Sequence, residues 1–192
     1  MTRLPSPDRS QWSEQARAVF KDRVEPGTSR PGDARQEGGP PNILWTISHH
    51  PALLEPFLGF AATLAIRGVL TRRDSEILAL RAAWNCNSAF EWGHHVEFAL
   101  AAEMSDAEIA NIAVGPDVES WSPHDRLLIL AADQLHERHT IDPETWRALA
   151  DELSPAQLVE LTFVVGNYTM LSMVANATEV PLEPGLPAMP PR

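Results

Sequence analysis

Four residues near the middle of the chain have the side chains of proton-transfer chemistry. Glu76 is followed after eleven residues by Ser88, after two more by Glu91 and after a further three by His95. On one helix Ser88, Glu91 and His95 fall at i, i+3 and i+7 and share a face. If the preceding helix lies alongside, Glu76 can join them. Two carboxylates and an imidazole in one pocket are suited to general acid–base catalysis, and none is a strong nucleophile. Glu76, Glu91 and His95 are therefore the candidate catalytic residues. Other uses of the same residues stand beside this one. Ser88-x-x-Glu91 has the spacing of a capping box, which explains both without chemistry. Glu91 and His95 at i, i+4 also fit an ordinary surface pair, and Glu76 with Arg81 fits a solvated face. Glu91, His95 and Glu76 could ligate a metal, but only one histidine falls on that face and no metal is expected. His94 points about 100° away from His95 and is expected at solvent or at a subunit contact.

The elements that would carry these residues read almost entirely as helix. Ser105 with Glu108 and Ser154 with Gln157 have capping-box spacing. Ser122-Pro123, Asp142-Pro143 and Ser154-Pro155 each place a cap residue before a proline suited to a first helical turn. Apolar residues recur at helical intervals through Ile77, Leu80 and Trp84, through Leu127 to Leu135, and through Leu158 to Leu171. These signals predict helices over 9–22, 51–68, 72–85, 88–103, 106–113, 123–138, 143–151 and 155–177, and an all-α fold. Residues 25–41 are rich in Pro, Gly and charge and read as loop. The organisation expected is an N-terminal helix and loop over 1–41, a helical domain over 42–180 and a Pro-rich tail over 181–192. Trp84 and Trp92 flank the candidate cluster and could wall a pocket, although tryptophans are more often core. Tyr168, the single tyrosine, lies mid-helix and needs a partner for its hydroxyl if buried. Trp84, Ser88, Trp92 and Tyr168 are the candidate substrate-binding residues.

The chain has 192 residues, a formal net charge of −11 and one cysteine, Cys86. That length suits one domain with a sizeable core. The acidic balance weighs against nucleic acid and anionic membrane surfaces, which reward basic proteins. One cysteine permits no disulfide within the chain, and no C-x-x-C pair is present, which fits a reducing cytoplasm. No apolar run reads as a membrane span, and the first ten residues lack the apolar stretch of a signal peptide.

The stretches Arg73 to Arg81 and Ser88 to His95 resemble the carboxymuconolactone decarboxylase family, of the alkylhydroperoxidase D-like superfamily. His50-Pro51-Ala52-Leu53-Leu54, Asp125 to His136, Gly166-Asn167-Tyr168 and Val180-Pro181-Leu182 agree in order, so that the resemblance spans roughly 42–185. It implies an all-helical domain of about eight helices that forms homo-oligomers, trimers or hexamers more often than dimers. The peroxidase branch has the pattern Glu, eleven residues, Cys, two residues, Cys, three residues, His. Glu76 and His95 match it, while Ser88 and Glu91 stand where the cysteines would be. Without thiols the disulfide route is closed. The chain then resembles the decarboxylase branch, which implies proton transfer without a cofactor. His95 would be the general acid/base, Glu91 would orient it or share its proton, and Glu76 would complete the relay. The expected activity is a lyase or isomerase acting on a small carboxylated or lactone-like substrate. An alkylhydroperoxidase-like oxidoreductase and a non-catalytic helical binding protein are the competing expectations.

Overall fold

The computed structural model describes residues 2–4, Glu14, Arg17 and 41–192. The helix expected over 9–22 and the loop expected over 25–41 lie outside the described residues, apart from Glu14, Arg17 and Pro41. Eight α-helices are present among the described residues: α1 (Asn42–Ile47), α2 (Pro51–Arg67), α3 (Arg72–Asn85), α4 (Ala89–Ala101), α5 (Asp106–Val114), α6 (Pro123–Arg138), α7 (Pro143–Glu152) and α8 (Pro155–Thr178). Seven agree with the expected helices to within two residues, the normal uncertainty of a helix end. The eighth, α1, was not expected. It is a six-residue helix that starts after Pro41 without a side-chain cap, so the cues used elsewhere were missing.

The serine caps behave as their spacing requires, whereas Asp142 opens α7 without a side-chain cap bond and instead accepts from Arg138 at 2.8 Å. Ser105 with Glu108 and Ser154 with Gln157 form reciprocal capping boxes at the starts of α5 and α8. Thr71 and Ser122 each accept a hydrogen bond from the backbone N–H three residues on, opening α3 and α6.

α3 is the central element and packs against α4, α5, α6 and α8. Its residues from Glu76 to Ala83 are buried without interruption, so it is apolar or paired on every face. Arg81 is not part of a solvated face. Its Nε and Nη2 donate to the two oxygens of Asp133 at 2.6 and 2.9 Å, and its Nη1 donates to the Ile112 carbonyl at 2.7 Å. The main core runs from Ile77, Leu78 and Leu80 through Leu128 and Ile129 to Leu161 and Val164. A smaller cluster of Ile43, Leu44, Leu54, Phe90, Leu171 and Ala175 joins α1 and α2 to α4 and α8.

α8 corrects one expectation. It has 24 residues, and an 18-residue window has a mean hydropathy of 1.4, so by length and composition it could cross a bilayer. Its buried residues Leu158, Leu161, Val164, Val165 and Leu171 are core. A helix buried along much of its surface resembles a span in sequence for that reason.

The tail over 181–192 lies on its own chain. Leu182 and Pro187 sit against Gly93 of α4, where a Cβ would come within 2.7 Å of Leu182 Cδ1 and 2.9 Å of the Pro187 carbonyl oxygen. Its Glu183 accepts from the Asn42 N–H at 2.7 Å and meets His94 at 2.8 Å. The Arg192 guanidinium stacks on the Trp84 ring, 5.0 Å from its centroid.

Candidate active site

The hairpin between α3 and α4 builds the site. Asn87 adopts the left-handed conformation at φ 52°, its N–H donates to the Trp84 carbonyl, and the Ser88 N–H donates to the Ala83 carbonyl. This is a Schellman ending with Asn in the position that favours glycine. It reverses the chain within three residues and sets α4 beside α3. Glu76 then stands about two and a half turns before the reversal and His95 about two turns after it. The two side chains meet across the helix pair.

Glu76, Glu91 and His95 are all nearly inaccessible, at 1%, 4% and 4% exposure. His95 Nδ1 is 2.6 Å from Glu76 Oε2, and the other Glu76 oxygen is 2.7 Å from Arg72 Nη2. With a guanidinium on one oxygen, Glu76 acts as an acceptor on both, so His95 donates from Nδ1–H. That leaves the lone pair on Nε2, which faces Glu91 Oε2 at 3.8 Å, beyond hydrogen-bond distance. The orienting carboxylate is thus Glu76, across the hairpin, rather than Glu91 on the same helix. The His95 ring is held between Tyr168 of α8, edge-on at 4.2 Å, and Phe98 of α4, edge-on at 5.6 Å.

Only half of the capping box forms at Ser88. Its hydroxyl accepts from the Glu91 N–H at 3.4 Å, but Glu91 does not reach back to the Ser88 backbone as Glu108 and Gln157 do in their boxes. Instead Glu91 Oε1 is buried with no hydrogen-bond partner among the described residues. Such a group is costly and calls for an explanation. Burial is the main cause that pushes the Glu91 carboxyl above its usual range. Glu183 adds to the rise, while His95 and His94 oppose it. Burial, followed by the facing Glu76 and Glu91, also pushes the Tyr168 hydroxyl up, so it stays protonated.

The other expected residues fall in different places. Ser88 is fully buried as the N-cap of α4. Trp92 is core, and its ring meets that of Trp84 at 5.8 Å near the hairpin, while the ring contacts of His95 are with Tyr168 and Phe98. Within the chain, His94 meets Glu183 of the tail at 2.8 Å and the Phe90 ring at 4.6 Å. Among the described residues no group of three His, Cys, Asp or Glu side chains has a metal-binding arrangement. Two residues not singled out above also belong to the cluster, Phe98 against the His95 ring and Arg72 on Glu76. The available signal for Arg72 was its i, i+4 relation to Glu76.

Residues 51–124 match the model of the carboxymuconolactone decarboxylase family, a span that contains Glu76, Ser88, Glu91 and His95 and is narrower than the resemblance read from sequence. No curated protein matches the chain. Among solved structures, the alkylhydroperoxidase AhpD core of an uncharacterized peroxidase-related protein from Ralstonia eutropha JMP134 aligns with a TM-score of 0.78 at 15% identity, over 95% of this chain and 93% of that one. An uncharacterized peroxidase-related protein from Silicibacter sp. TM1040 also reaches 0.78, at 14% identity over 96% and 93%. The debrominase Bmp8, as a cysteine-to-alanine variant in complex with 2,3,4-tribromopyrrole, aligns at 0.72 with 16% identity over 96% and 93%. At these identities the structural matches speak for the fold, and the family match speaks for the segment that holds the site. The chain therefore has the alkylhydroperoxidase D-like fold, and its segment 51–124 matches the carboxymuconolactone decarboxylase family.

Proposed function

We propose that this protein is a lyase or isomerase that moves protons on a small carboxylated or cyclic substrate through His95, Glu91 and Glu76, without a cofactor. The observation that carries the reading is Glu91, a buried carboxyl with an unpartnered oxygen and a raised pKa, facing the lone pair of an oriented imidazole. Glu76 fixes the His95 tautomer and stabilises the imidazolium once Nε2 has taken a proton from substrate carbon. Glu91, whose burial favours the protonated form, delivers its proton to the carbanion or enolate that results, and the proton on His95 Nε2 then passes to the Glu91 carboxylate to restore the starting state. A buried carboxyl with a raised pKa and an imidazole oriented by a second carboxylate divide acid and base roles in this way. Tyr168 and Phe98 supply the apolar walls that keep both groups dry.

The fold neighbours include peroxidase-related proteins and a debrominase, so an oxidoreductase is the second reading. The residues weigh against it. Ser88 and Glu91 occupy the positions where thiols would stand, and the thiol of Cys86 is pushed up by burial, which outweighs its contacts with Thr169, Ser172 and Arg192. A thiol so shifted supplies little thiolate near neutral pH.

The test is a panel of small carboxylic acids and lactones incubated with the protein in deuterated water and followed by proton NMR. Loss of carboxylate, isomerisation or deuterium incorporation at carbon is expected for at least one compound. His95→Gln should lower that rate by a factor of roughly 100 or more, the scale of a lost general base, with the helical circular dichroism unchanged. Cys86→Ser should leave the rate as it is. Full activity in His95→Gln, or its loss in Cys86→Ser, would sink the proposal.

A further inference from the structure

Four arginines near the hairpin could meet an anionic substrate, and the structure separates them. Arg73 is taken by Glu108 and Asp125 at 2.6 and 3.0 Å. Arg81 is buried on Asp133. Arg67 turns back along its own helix to the Thr63 hydroxyl at 2.8 Å. Arg72 alone of the four reaches the catalytic cluster, where its Nη2 is bound to Glu76 Oε1 and its Nη1 donates to the Ala65 carbonyl at 3.2 Å. Its guanidinium lies over the Phe98 ring, 5.1 Å from the centroid. The Arg72 side chain is 42% exposed and Phe98 45%, although the Glu76–His95 pair beneath them is buried. Arg72 and Phe98 therefore stand where the buried proton relay reaches the surface. A guanidinium carries five N–H donors in a fixed fork, and these contacts engage only two of its three nitrogens.

We infer that Arg72 is the specificity-determining residue of the site: it receives the carboxylate of a monoanionic substrate whose apolar body rests on Phe98 and Tyr168. The inference rests on the acid–base reading and narrows its substrate class. A carboxylate on the free donors of Arg72 sits one residue contact from Glu76 and leaves the rest of the molecule directed at His95 Nε2 and the unpartnered Glu91 Oε1. A single negative charge fits and two do not. Glu76 already balances Arg72, Glu91 is a second acidic group within the electrostatic reach of Tyr168, and the chain carries a net −11. Stacking against Phe98 keeps the guanidinium plane fixed, which favours bidentate recognition of a planar carboxylate over capture of a point charge.

Equilibrium binding separates this inference from the reaction itself. Benzoate and its neutral isostere benzamide are titrated calorimetrically into the full chain and into its Arg72→Gln, Arg72→Lys and Cys86→Ser variants. Benzoate should bind the unmodified protein and Cys86→Ser alike. Arg72→Gln should weaken it by roughly tenfold to a hundredfold, the loss of a charge-assisted pair, with Arg72→Lys between the two. Benzamide should bind weakly to all four. Benzoate that fails to bind the unmodified protein, or that binds Arg72→Gln unchanged, overturns the role of Arg72. Benzoate and benzamide weakened in parallel would show that Arg72 only props Glu76, and would overturn it too. Failure of the proton-transfer reading shows elsewhere, as turnover that survives His95→Gln, and leaves the binding result standing.

Discussion

Glu91 should cost the fold stability, and replacing it should return that stability while removing activity. One of its oxygens is buried without a partner, and the other is 3.8 Å from His95 Nε2, too far for a hydrogen bond. An unsatisfied buried polar group costs about 1–3 kcal/mol. Leucine has a similar reach and no polar atom, so Glu91→Leu should raise stability by about 1–2 kcal/mol once imperfect packing is set against the gain. For a chain of this size that is a rise of about 2–8 °C in Tm, at 2–4 °C per kcal/mol. The pH dependence adds an independent check. Burial raises the Glu91 pKa in the folded state above its unfolded value. The folded protein then holds a proton that the unfolded chain has released, so stability falls as pH rises from about 4.3, the unfolded value, towards the folded one. Glu91→Leu lacks that loss, and its advantage should widen with pH across the window. Thermal melts at pH 5, 6, 7 and 8 measure both effects. A variant destabilised by more than about 1 kcal/mol at every pH would refute the argument, because it would mean that Glu91 is held by interactions worth more than its unmet oxygen costs.

Two further predictions concern the scaffold. Asp133→Ala strands the Arg81 guanidinium, which is buried and bonded to both oxygens of Asp133. Breaking such a pair costs about 3–5 kcal/mol, so Tm should fall by about 6 °C or more, and a drop of only a degree or two in calorimetry would show that Arg81 finds another partner. His124 bridges Glu152 at 2.6 Å and Asp74 at 3.2 Å, tying α6 to α7 and α3. Partial burial opposes protonation there, but the two carboxylates outweigh it and raise the pKa. Its contribution is therefore complete below the unfolded value of about 6.5 and is lost as pH rises through the higher folded value. The difference in Tm between the unmodified protein and His124→Gln should shrink as pH rises from 6 to 9, and a gap that stays constant would show the bridge to be neutral packing.

The helices were legible because their signals are local. A serine three residues ahead of Glu or Gln, a proline in the first turn and an apolar period of about 3.6 are each complete within one element. Those cues placed seven helices, and they failed at α1, which has no side-chain cap. The site was only partly legible for the converse reason. Spacing put Ser88, Glu91 and His95 on one face, but it could not show which of two carboxylates holds the imidazole. That depends on the register between α3 and α4, fixed by Asn87 in the left-handed region and by the Ser88 N–H returning to Ala83. Trp84 and Trp92 were near in sequence and face one another instead of His95. Tyr168, more than seventy positions downstream, is the ring that touches it. The fates of the four arginines were equally invisible, since each depends on partners from other helices.

The contrast between Glu91 and the two complete capping boxes carries the argument about chemistry further than spacing can. Glu108 and Gln157 sit at N3 behind a serine cap and turn back to satisfy it. Glu91 sits at the same position behind Ser88 and does not. In those boxes the N3 side chain accepts from the serine N–H and hydroxyl, but the Ser88 N–H is already given to the Ala83 carbonyl, so the hairpin leaves Glu91 without the backbone donor that holds Glu108 and Gln157. Glu91 instead lies buried beside His95, where burial raises its pKa and one oxygen is unmet. Stability forgone at one residue, beside an imidazole whose tautomer is already set by Glu76, is what a preorganised proton donor requires.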